Sequence, residues 1–445
     1  VYRMPKNKKV FILGMAKSGY EAAKLLSKDN KVLITDMKEQ NEQHVDDLIS
    51  RGVEYVITDK PEELLDDSYD MMVKNPGILP THKCVQKARE LNIKIINEVE
   101  LAYSYLPHDI KIIGITGSNG KTTTTTLVYE FLKAAKKSVC LGGNIGYPLC
   151  SLVDKIKPED ILLLEISDHQ LVDMYDFKCD ISALLNLSET HLDLHGTYDN
   201  YKKAKKKIFN NQIESDIAIL NYDDKEVMQL TSDVKVQKKY FSVKEKKDVY
   251  IENDIIKIGN FELNTKDIKL KGIHNYENIM AALLIIDTLG IDLECTRDVL
   301  KNFNGVEHRI EFVREINGVT YYNDSKSTNP VATITALNTF TNPTILLLGG
   351  FERNQNFNEL SDYLGHVKCI ICYGETKNRI KEFADKQNIK CFAFDSLKES
   401  IQKAVEISER NDTVLLSPAS ASWDQYDNFE TRGNEFKETI WKLEE

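Results

Sequence analysis

The sequence predicts an α/β protein of three domains. Short continuous apolar runs, typical of strands buried on both faces of a parallel sheet, recur along the chain. Segments of helical periodicity separate most of these runs, and several runs end in a glycine-rich or polar turn. The chain has 445 residues, enough for about two to four domains. We predict domains over residues 1–108, 109–306 and 307–445.

The composition excludes several functional classes. The formal net charge is −11, so no basic surplus is present for a nucleic-acid backbone. The eight cysteines are scattered among mostly apolar neighbours, which is typical of buried reduced thiols. Cys369 and Cys372 form a C-x-x-C pair inside a strand-like run, where they point to opposite faces, so a metal role is not favoured. Apolar runs are too short for a membrane span or signal core, and we expect a cytoplasmic protein without membrane insertion.

The first predicted domain has the pattern of a ligand-binding sheet. Residues 9–14 predict a strand that ends in glycine, and residues 31–36 predict a second strand that ends in Asp36. The unit resembles a Rossmann unit but lacks G-x-G-x-x-G, so a dinucleotide site is not favoured. Asp36 either accepts a hydrogen bond from a ribose or uracil or caps its strand. Asn75 follows a further strand, at the edge where open parallel sheets bind ligands.

A phosphate-binding loop organises the middle of the chain. Residues 112–122 read IIGITGSNGKT, an apolar strand, a glycine-rich turn and a Lys-Thr pair that opens a helix. The glycines let backbone N–H groups converge on an anion, and the helix N-terminus adds a favourable dipole. We expect Lys121 to reach the β- and γ-phosphates and the Thr122 hydroxyl to bind Mg²⁺. Ile115 stands where the strict G-x-x-x-x-G-K-[ST] pattern has glycine, so a turn without nucleotide is the alternative.

Two later strands end in residues suited to metal binding. Residues 161–166 are an apolar strand with Glu165 near its end, the place of a Walker-B-like Mg²⁺ ligand beside a P-loop. The alternative is an acid that faces solvent. Residues 181–187 lead into His191, which suits a second metal or phosphate site or, alternatively, an ordinary loop hydrogen bond.

Helical spacing separates Lys205 from the neighbouring lysines. Tyr201, Lys205 and Ile208 fall at i, i+4 and i+7, so Lys205 shares an apolar face while the other lysines point elsewhere. An inward lysine pairs its ammonium with phosphate or carboxylate. Alternatively, in its neutral form it reacts with CO₂ to give an anionic carbamate, which is a good Mg²⁺ ligand.

The rest of the chain predicts an antiparallel sheet and a third α/β unit. Residues 215–265 alternate short strands and turns, which predicts antiparallel pairing. Asn275 and Asn278 precede a long apolar helix, either as caps or as adenine or ribose contacts. From about residue 307, buried strands are predicted at 344–350, 369–372 and 413–417, and two polar segments that suit a small polar ligand lie at 323–330 and 417–425.

Together these motifs resemble the Mur ligases over nearly the whole chain. The resemblance rests on residues 14–19, 74–78, 116–122, 143–146, 186–193, 274–278, 307–309, 323–329 and 417–424. The Asn-Pro-Gly loop and the two polar segments of the third domain point to the member that adds D-glutamate. The resemblance implies a Rossmann-like N-terminal domain, a central P-loop ATPase-type domain with a mainly parallel sheet, and a Rossmann-like C-terminal domain.

The resemblance also implies an activity. The implied enzyme is a monomeric, ATP-dependent ligase of peptidoglycan precursor synthesis that joins D-glutamate to UDP-N-acetylmuramoyl-L-alanine through an acyl phosphate, with two Mg²⁺ ions. A sister ligase for another amino acid and a switch that hydrolyses ATP without ligation are the alternatives. A UDP-sugar dehydrogenase is disfavoured because G-x-G-x-x-G is absent.

The resemblance assigns roles to individual residues. Implied contacts of the UDP substrate are Ala16, Asp36, Lys38, Asn75 and Asn144. Implied ATP contacts are Gly117, Ser118, Asn119, Gly120, Lys121, Thr122, Asn275, Asn278, Arg309 and, after domain closure, Asp324. The implied catalytic and metal-binding group is Lys121, Thr122, Glu165, His191 and a carbamylated Lys205. The implied amino-acid pocket contains Lys326, Thr328, Arg353, Ser422 and Phe429.

Two segments depart from the family pattern. Asp168 and His169 stand where the Mur ligases usually carry a serine and an aromatic residue, and they bring ionisable groups to the muramoyl end of the site. Residues 351–355 read FERNQ where relatives more often have Asp-Arg-Gly-Asn, so Arg353 is kept as a carboxylate partner in a changed loop.

Overall fold

The computed structural model describes residues 4–189 and 192–444 and contains three β-sheets. Most strand pairs are parallel, and helices connect the strands, so the chain has the mixed α/β fold that the apolar runs predicted. Over the two described ranges, no helix combines the length and the apolar character needed to cross a membrane. All eight cysteines are free thiols.

The first sheet is fully parallel and has the order β3-β2-β1-β4-β5. Its order reverses between β1 and β4, so the loops after these strands diverge and leave a crevice, as in other doubly wound sheets. Its strands are β1 (Lys9–Leu13), β2 (Lys31–Asp36), β3 (Glu54–Ile57), β4 (Met71–Lys74) and β5 (Lys94–Ile96). Its helices are α1 (Lys17–Leu26), α2 (Glu42–Ser50), α3 (Lys83–Glu90) and α4 (Glu98–Tyr103), with a 3₁₀ turn at Pro61–Leu64.

The second sheet has nine strands in the order β14-β13-β12-β11-β10-β9-β6-β8-β7. The strands are β6 (Lys111–Thr116), β7 (Val139–Gly143), β8 (Ile161–Glu165), β9 (Ile181–Leu184), β10 (Ile217–Asn221), β11 (Gln237–Ser242), β12 (Val249–Glu252), β13 (Ile255–Ile258) and β14 (Phe261–Asn264). The helices are α5 (Lys121–Ala134), α6 (Asp168–Leu171), α7 (Leu192–His195), α8 (Tyr198–Lys206), α9 (Lys225–Leu230), α10 (Ile273–Thr288) and α11 (Thr296–Asn302). Short 3₁₀ turns lie at Leu149–Ser151, Lys207–Phe209, Thr265–Asp267 and Leu293–Cys295.

The antiparallel prediction for residues 215–265 is wrong for the first two strands of that region. Strands β10 and β11 pair in parallel and extend the sheet that carries the phosphate loop. The apolar run of β10 is almost fully buried, and α9 supplies the crossover that parallel neighbours need. Antiparallel pairing begins only at β12, where Asn253 and Asp254 take positive φ angles and form a tight hairpin turn.

The third sheet has the order β15-β16-β20-β17-β18-β19, and only the β15–β16 pair is antiparallel. Its strands are β15 (Glu311–Ile316), β16 (Val319–Asn323), β17 (Thr344–Gly349), β18 (Val367–Tyr373), β19 (Lys390–Phe394) and β20 (Thr413–Leu416). Its helices are α12 (Pro330–Leu337), α13 (Lys377–Lys386), α14 (Leu397–Ile407) and α15 (Phe429–Trp441), with a 3₁₀ segment at Phe357–Tyr363. Cys369 and Cys372 of β18 pack into different hydrophobic clusters, which confirms that they face opposite sides of the sheet.

The chain divides into two compact units. One contains residues 1–265 and 276–299, and the other contains residues 266–275 and 300–445. The first two sheets therefore belong to one unit, and a single hydrophobic cluster runs through both. Buried polar contacts join them as well. Lys74 and Asp173 form an ion pair of 3.1 Å with both side chains 2% exposed, and the Glu100 carboxylate accepts the backbone N–H groups of Asp176 and Phe177.

Candidate functional site

The phosphate-loop pattern forms the strand–loop–helix unit that the sequence predicted. Strand β6 ends at Thr116, and α5 begins at Lys121. Gly120 caps the helix with φ +82°, and a Cβ atom there would lie 2.2 Å from Oδ1 of Asn278. Gly120 thus meets two demands that only glycine satisfies, a left-handed backbone and close approach of a neighbouring side chain. Asn278, which the resemblance assigned to nucleotide contacts, lies buried in α10 against this loop.

Asn186 holds the loop and was missed as a site residue. Its Oδ1 accepts the Asn119 N–H at 2.8 Å, its Nδ2 donates to the Asn119 carbonyl at 2.9 Å, and its own carbonyl accepts the Ser118 N–H at 3.1 Å. The Ser118 hydroxyl lies 2.7 Å from the hydroxyl of buried Tyr201. These contacts fix the loop backbone before any ligand binds. Because Asn186 follows a strand of the same sheet, its position after an apolar run was the available signal.

Thr122 and Glu165 meet at the start of α5. The Thr122 hydroxyl donates to Oε1 of Glu165 at 2.8 Å, and Glu165 is 1% exposed. Oε2 of Glu165 is buried and has no hydrogen-bond partner in the described part of the chain. An orphaned carboxylate oxygen beside a hydroxyl suits Mg²⁺, which prefers oxygen ligands. Within residues 4–189 and 192–444 no three His, Cys, Asp or Glu residues cluster at metal-binding distance, and His191 lies outside the described residues.

Lys205 is completely buried, as its helical spacing predicted. Its Nζ donates to Oγ1 of Thr116 at 2.8 Å and to the carbonyl of Gly117 at 3.0 Å, and lies 3.8 Å from Oδ1 of Asp168. Loss of hydration, with the nearby Lys121 charge, holds the pKa of Lys205 well below its usual range. Lys121 donates to the same Gly117 carbonyl at 2.9 Å. Two lysines therefore converge on the first residue of the loop.

Two cavities adjoin each other along the first compact unit. The larger, of about 520 Å³, is bordered by the phosphate-loop residue Lys121 and by Ala16, Asn75 and Asn144. The second, of about 460 Å³, is bordered by Asp36 and Lys38 and again by Ala16 and Asn75. The structure thus brings all five predicted contacts of a UDP substrate to two cavities that share two wall residues. An elongated ligand could extend from Asp36 to Lys121.

The walls of these cavities are held by their own hydrogen bonds. Oδ2 of Asp36 accepts the Met15 N–H at 2.8 Å, and Oδ1 accepts the Lys38 N–H at 3.1 Å, so this carboxylate fixes the loops after β1 and β2. Oδ1 of Asn75 accepts the Gly77 N–H at 3.0 Å. The Asn144 N–H donates to the Glu165 carbonyl at 2.7 Å, and its side chain is exposed.

The second compact unit contains the residues that the resemblance assigned to an amino-acid pocket. Asp324 is buried, and its carboxylate accepts the Ile310 N–H at 3.0 Å and the Ser417 hydroxyl at 2.7 Å, so it joins the two polar segments. Burial raises the pKa of Asp324 to about 6. The resemblance implied a nucleotide contact for Asp324 after domain closure, and in this structure its carboxylate is bonded within its own unit.

Arg432 is a second residue that sequence reasoning missed. Its buried guanidinium donates to the Ser325 carbonyl at 2.8 Å and to the Ser420 carbonyl at 3.0 Å, which ties the two polar segments together. Ser422 is also buried, and Phe429 begins α15, where its carbonyl accepts the Ser325 hydroxyl. An arginine inside an amphipathic helix gives no sequence signal of burial.

The other predicted residues of this unit lie nearer the surface. Lys326 is exposed, and Thr328 and Arg309 are half-buried. Arg353 is exposed and places its guanidinium 5.4 Å from the centre of the Trp423 ring. The Asn275 side chain, in the first turn of α10, donates to the carbonyl of Lys271, which precedes the helix, at 2.8 Å.

Known proteins match this chain over nearly its full length. The family model of the Mur ligase middle domain matches residues 115–286, and that of the Mur ligase, glutamate ligase domain matches residues 308–420. The UDP-N-acetylmuramoylalanine--D-glutamate ligase of Geobacillus kaustophilus (strain HTA426) is 42% identical over 448 residues, which is 99% of each chain. The ligase of the same name from Staphylococcus aureus (strain MW2) is 41% identical over 436 residues, covering 97% of this chain and 96% of its own. This chain belongs to the Mur ligase family.

Solved Mur ligase structures share the fold. The UDP-N-acetylmuramate-alanine ligase of Thermotoga maritima aligns with a TM-score of 0.57 at 19% identity, covering 98% of this chain and 99% of its own. The MurF ligase of Thermotoga maritima, in complex with ADP, aligns with a TM-score of 0.55 at 20% identity, covering 99% and 98%. At this identity the likeness concerns the fold alone.

Proposed function

We propose that this Mur ligase joins D-glutamate to UDP-N-acetylmuramoyl-L-alanine in an ATP-dependent step of peptidoglycan precursor synthesis. The observation that carries the proposal is 42% identity over 99% of the chain to a relative named for this reaction. The two adjoining cavities support it, because a UDP-linked substrate is elongated and must reach the phosphate loop with its far end. We also propose that the enzyme acts as a monomer in the cytoplasm, with domains over residues 1–108, 109–306 and 307–445.

The UDP substrate occupies both cavities in this proposal. Asp36 and Lys38 border the cavity that takes the uridine end, and Ala16 and Asn75 lie where the two cavities join. Lys121 and Asn144 border the cavity that takes the muramoyl-alanyl end. The alanyl carboxylate then lies on the same side of the sheet as the phosphate loop, which holds ATP with Gly117, Ser118, Asn119, Gly120, Lys121 and Thr122.

The proposed chemistry has two steps. An oxygen of the alanyl carboxylate attacks the γ-phosphorus of ATP, and the bond from that phosphorus to the bridging oxygen breaks. The products of this step are an acyl phosphate and ADP. The neutral amine of D-glutamate attacks the acyl carbon, the carbon–oxygen bond breaks, phosphate departs and the nitrogen loses a proton. Lys121 offsets the repulsion between the carboxylate and the triphosphate, and the ordered loop backbone holds the phosphates in line.

Thr122 and Glu165 are the residues proposed to hold Mg²⁺. The buried Glu165 oxygen without a partner is the feature that supports this assignment. When bound, Mg²⁺ neutralises charge on the phosphate oxygens. We assign His191 and Lys205 to a second Mg²⁺ ion. The lowered pKa of Lys205 favours the neutral amine that a carbamate requires, and this carbamate is part of the proposal.

The second compact unit supplies the incoming amino acid in this proposal. Lys326, Thr328 and Arg353 are candidate partners of the two glutamate carboxylates, and Ser422 and Phe429 are candidate pocket walls. Arg309, Asn275 and Asn278 are assigned to the nucleotide. Asp324 keeps its assignment as a nucleotide contact only if its internal bonds to Ile310 and Ser417 open.

Phosphate release tests the proposal. The enzyme is incubated with ATP, Mg²⁺ and UDP-N-acetylmuramoyl-L-alanine, and D-glutamate, L-glutamate, L-alanine or a diamino acid is added in separate reactions. We expect turnover only with D-glutamate and a product heavier by one glutamyl residue by mass spectrometry. Turnover with another amino acid would identify a sister ligase, and turnover that ignores the amino acid would identify an ATP-hydrolysing switch.

A further inference from the structure

Asp168 is the centre of a largely buried polar cluster at the wall of the larger cavity. Its Oδ2 lies 2.7 Å from Nε2 of His195 and 3.4 Å from Nδ1 of His169, and its Oδ1 lies 3.8 Å from Nζ of Lys205. Asp168 is 1% exposed. Since Oδ2 faces ring nitrogens of two histidines, rotation of the carboxylate would break these contacts. Asp168 is therefore a fixed acceptor.

His169 follows this acceptor in the chain and borders the same cavity. Its side chain is 26% exposed and borders the larger cavity together with Lys121. The two nitrogens of an imidazole lie on different edges of the ring. A carboxylate that faces Nδ1 favours the tautomer with the proton on Nδ1 and leaves Nε2 as an acceptor. Phenylalanine at this position would fill similar space but would offer no acceptor.

We propose that His169 binds the alanyl end of the UDP substrate and that Asp168 is the positioning residue that orients its ring. Nε2 of His169 accepts the N–H of the amide bond that joins the muramoyl group to alanine. This inference rests on the function proposed above and names a further residue of the same site. The choice of the alanyl end follows from the cavity, because His169 shares its wall with Lys121, whereas the uridine end occupies the cavity that contains Asp36.

Binding measurements on His169→Phe test the proposal. Titration calorimetry is done with UDP-N-acetylmuramoyl-L-alanine and, separately, with UDP alone, on wild type and variant. We expect about a ten-fold loss of affinity for the full substrate, the size of one hydrogen bond, and unchanged affinity for UDP. In steady-state assays KM for the UDP substrate should rise while KM for ATP stays the same. Thermal unfolding of the variant checks that its fold is intact.

Asp168→Ser, which restores a residue common in the family, tests the positioning role. If Asp168 acts through His169, the single variants and the double variant should lose similar affinity, so that the two effects are not additive. Additive losses would overturn the positioning role. If His169→Phe binds the full substrate as tightly as wild type, the inference fails while product formation by wild type still supports the proposed function. If wild type neither binds this substrate nor forms product, the proposed function fails first.

Discussion

Lys205 Nζ lies 3.0 Å from the carbonyl oxygen of Gly117, an atom that also accepts a hydrogen bond from Lys121. The fully buried Lys205 of α8 and Lys121 of α5 thus both contact the backbone of the phosphate loop. A substitution of Lys205 should therefore change the geometry of the proposed nucleotide site and lower turnover. An exposed lysine of the same helix should show no such effect.

We expect Lys205→Met to reduce turnover at least about 100-fold, because a group that acts on the developing phosphate charge is lost. Lys203→Met changes an exposed lysine two residues away and should keep wild-type turnover. Phosphate release is measured for both, and thermal unfolding verifies their folds. Partial recovery of Lys205→Ala by added formate or chloride would support the carbamate. Full activity of Lys205→Met would contradict a catalytic role.

Gly120→Ala should weaken ADP binding at least about ten-fold, because its Cβ would lie 2.2 Å from Oδ1 of Asn278 and would displace either the loop or the Asn278 side chain assigned to the nucleotide. Gly52→Ala is a matched control, since Gly52 has the same φ of +82° but no atom within 4 Å of the added Cβ. Gly52→Ala should lose about 1 kcal/mol of stability from backbone strain, and Gly120→Ala should lose more because the clash adds to the same strain. Calorimetric titration with ADP measures the affinity of each variant, and only Gly120→Ala should bind ADP more weakly than wild type. Equal ADP affinity in both variants would refute the contact with Asn278.

The Lys74–Asp173 pair should contribute strongly to stability. Lys74→Met leaves the Asp173 carboxylate buried without its cation, and we expect a loss of about 3–5 kcal/mol in the free energy of unfolding by urea. The exposed Lys28–Asp154 pair is the control, and Lys28→Met should cost less than about 1 kcal/mol. Because the attraction disappears with either partner, Lys74→Met/Asp173→Leu should cost less than the sum of the single changes. Equal costs at the buried and exposed pairs would argue against this account.

Glu98 should make stability depend on pH. Burial raises the pKa of Glu98 to about 7, so between pH 4.5 and 7 the folded chain holds a proton that the unfolded chain releases. The contribution of this proton is present at low pH and is lost as the pH rises through 7. Relative to Glu98→Gln, wild type should lose on the order of 3 kcal/mol of unfolding free energy between pH 4.5 and 8. Glu90→Gln, at an exposed position, should follow wild type at every pH. If the unfolding free energies of wild type and Glu98→Gln change with pH in parallel, the Glu98 carboxyl does not titrate between pH 4.5 and 8.

Local patterns predicted several structural features correctly. The apolar runs gave the mixed α/β class, and the spacing of Tyr201, Lys205 and Ile208 gave the buried face of α8. Both patterns work because strand and helix periodicities fix which side chains share a face. The predicted antiparallel pairing of residues 215–265 was wrong for its first two strands, since a short apolar strand has no local feature that distinguishes parallel from antiparallel neighbours.

Motifs and the family resemblance selected the predicted site residues, but they did not reveal the residues that contact them in the fold. Asn186 and Arg432 act through contacts with residues far away in the chain, the Asn119 backbone and the Ser325 and Ser420 carbonyls. Asp168 was noted only as a departure from the family pattern, and its contacts with His195 and Lys205 appear only in three dimensions.

The sequence by itself determined the α/β class, the phosphate loop and the inward direction of Lys205, because these depend on residues close together in the chain. The tertiary structure decided which strands pair, that Oε2 of Glu165 has no hydrogen-bond partner among the described residues, and that two cavities share Ala16 and Asn75. Those properties depend on packing between distant segments, where burial removes water and makes each unpaired charge costly.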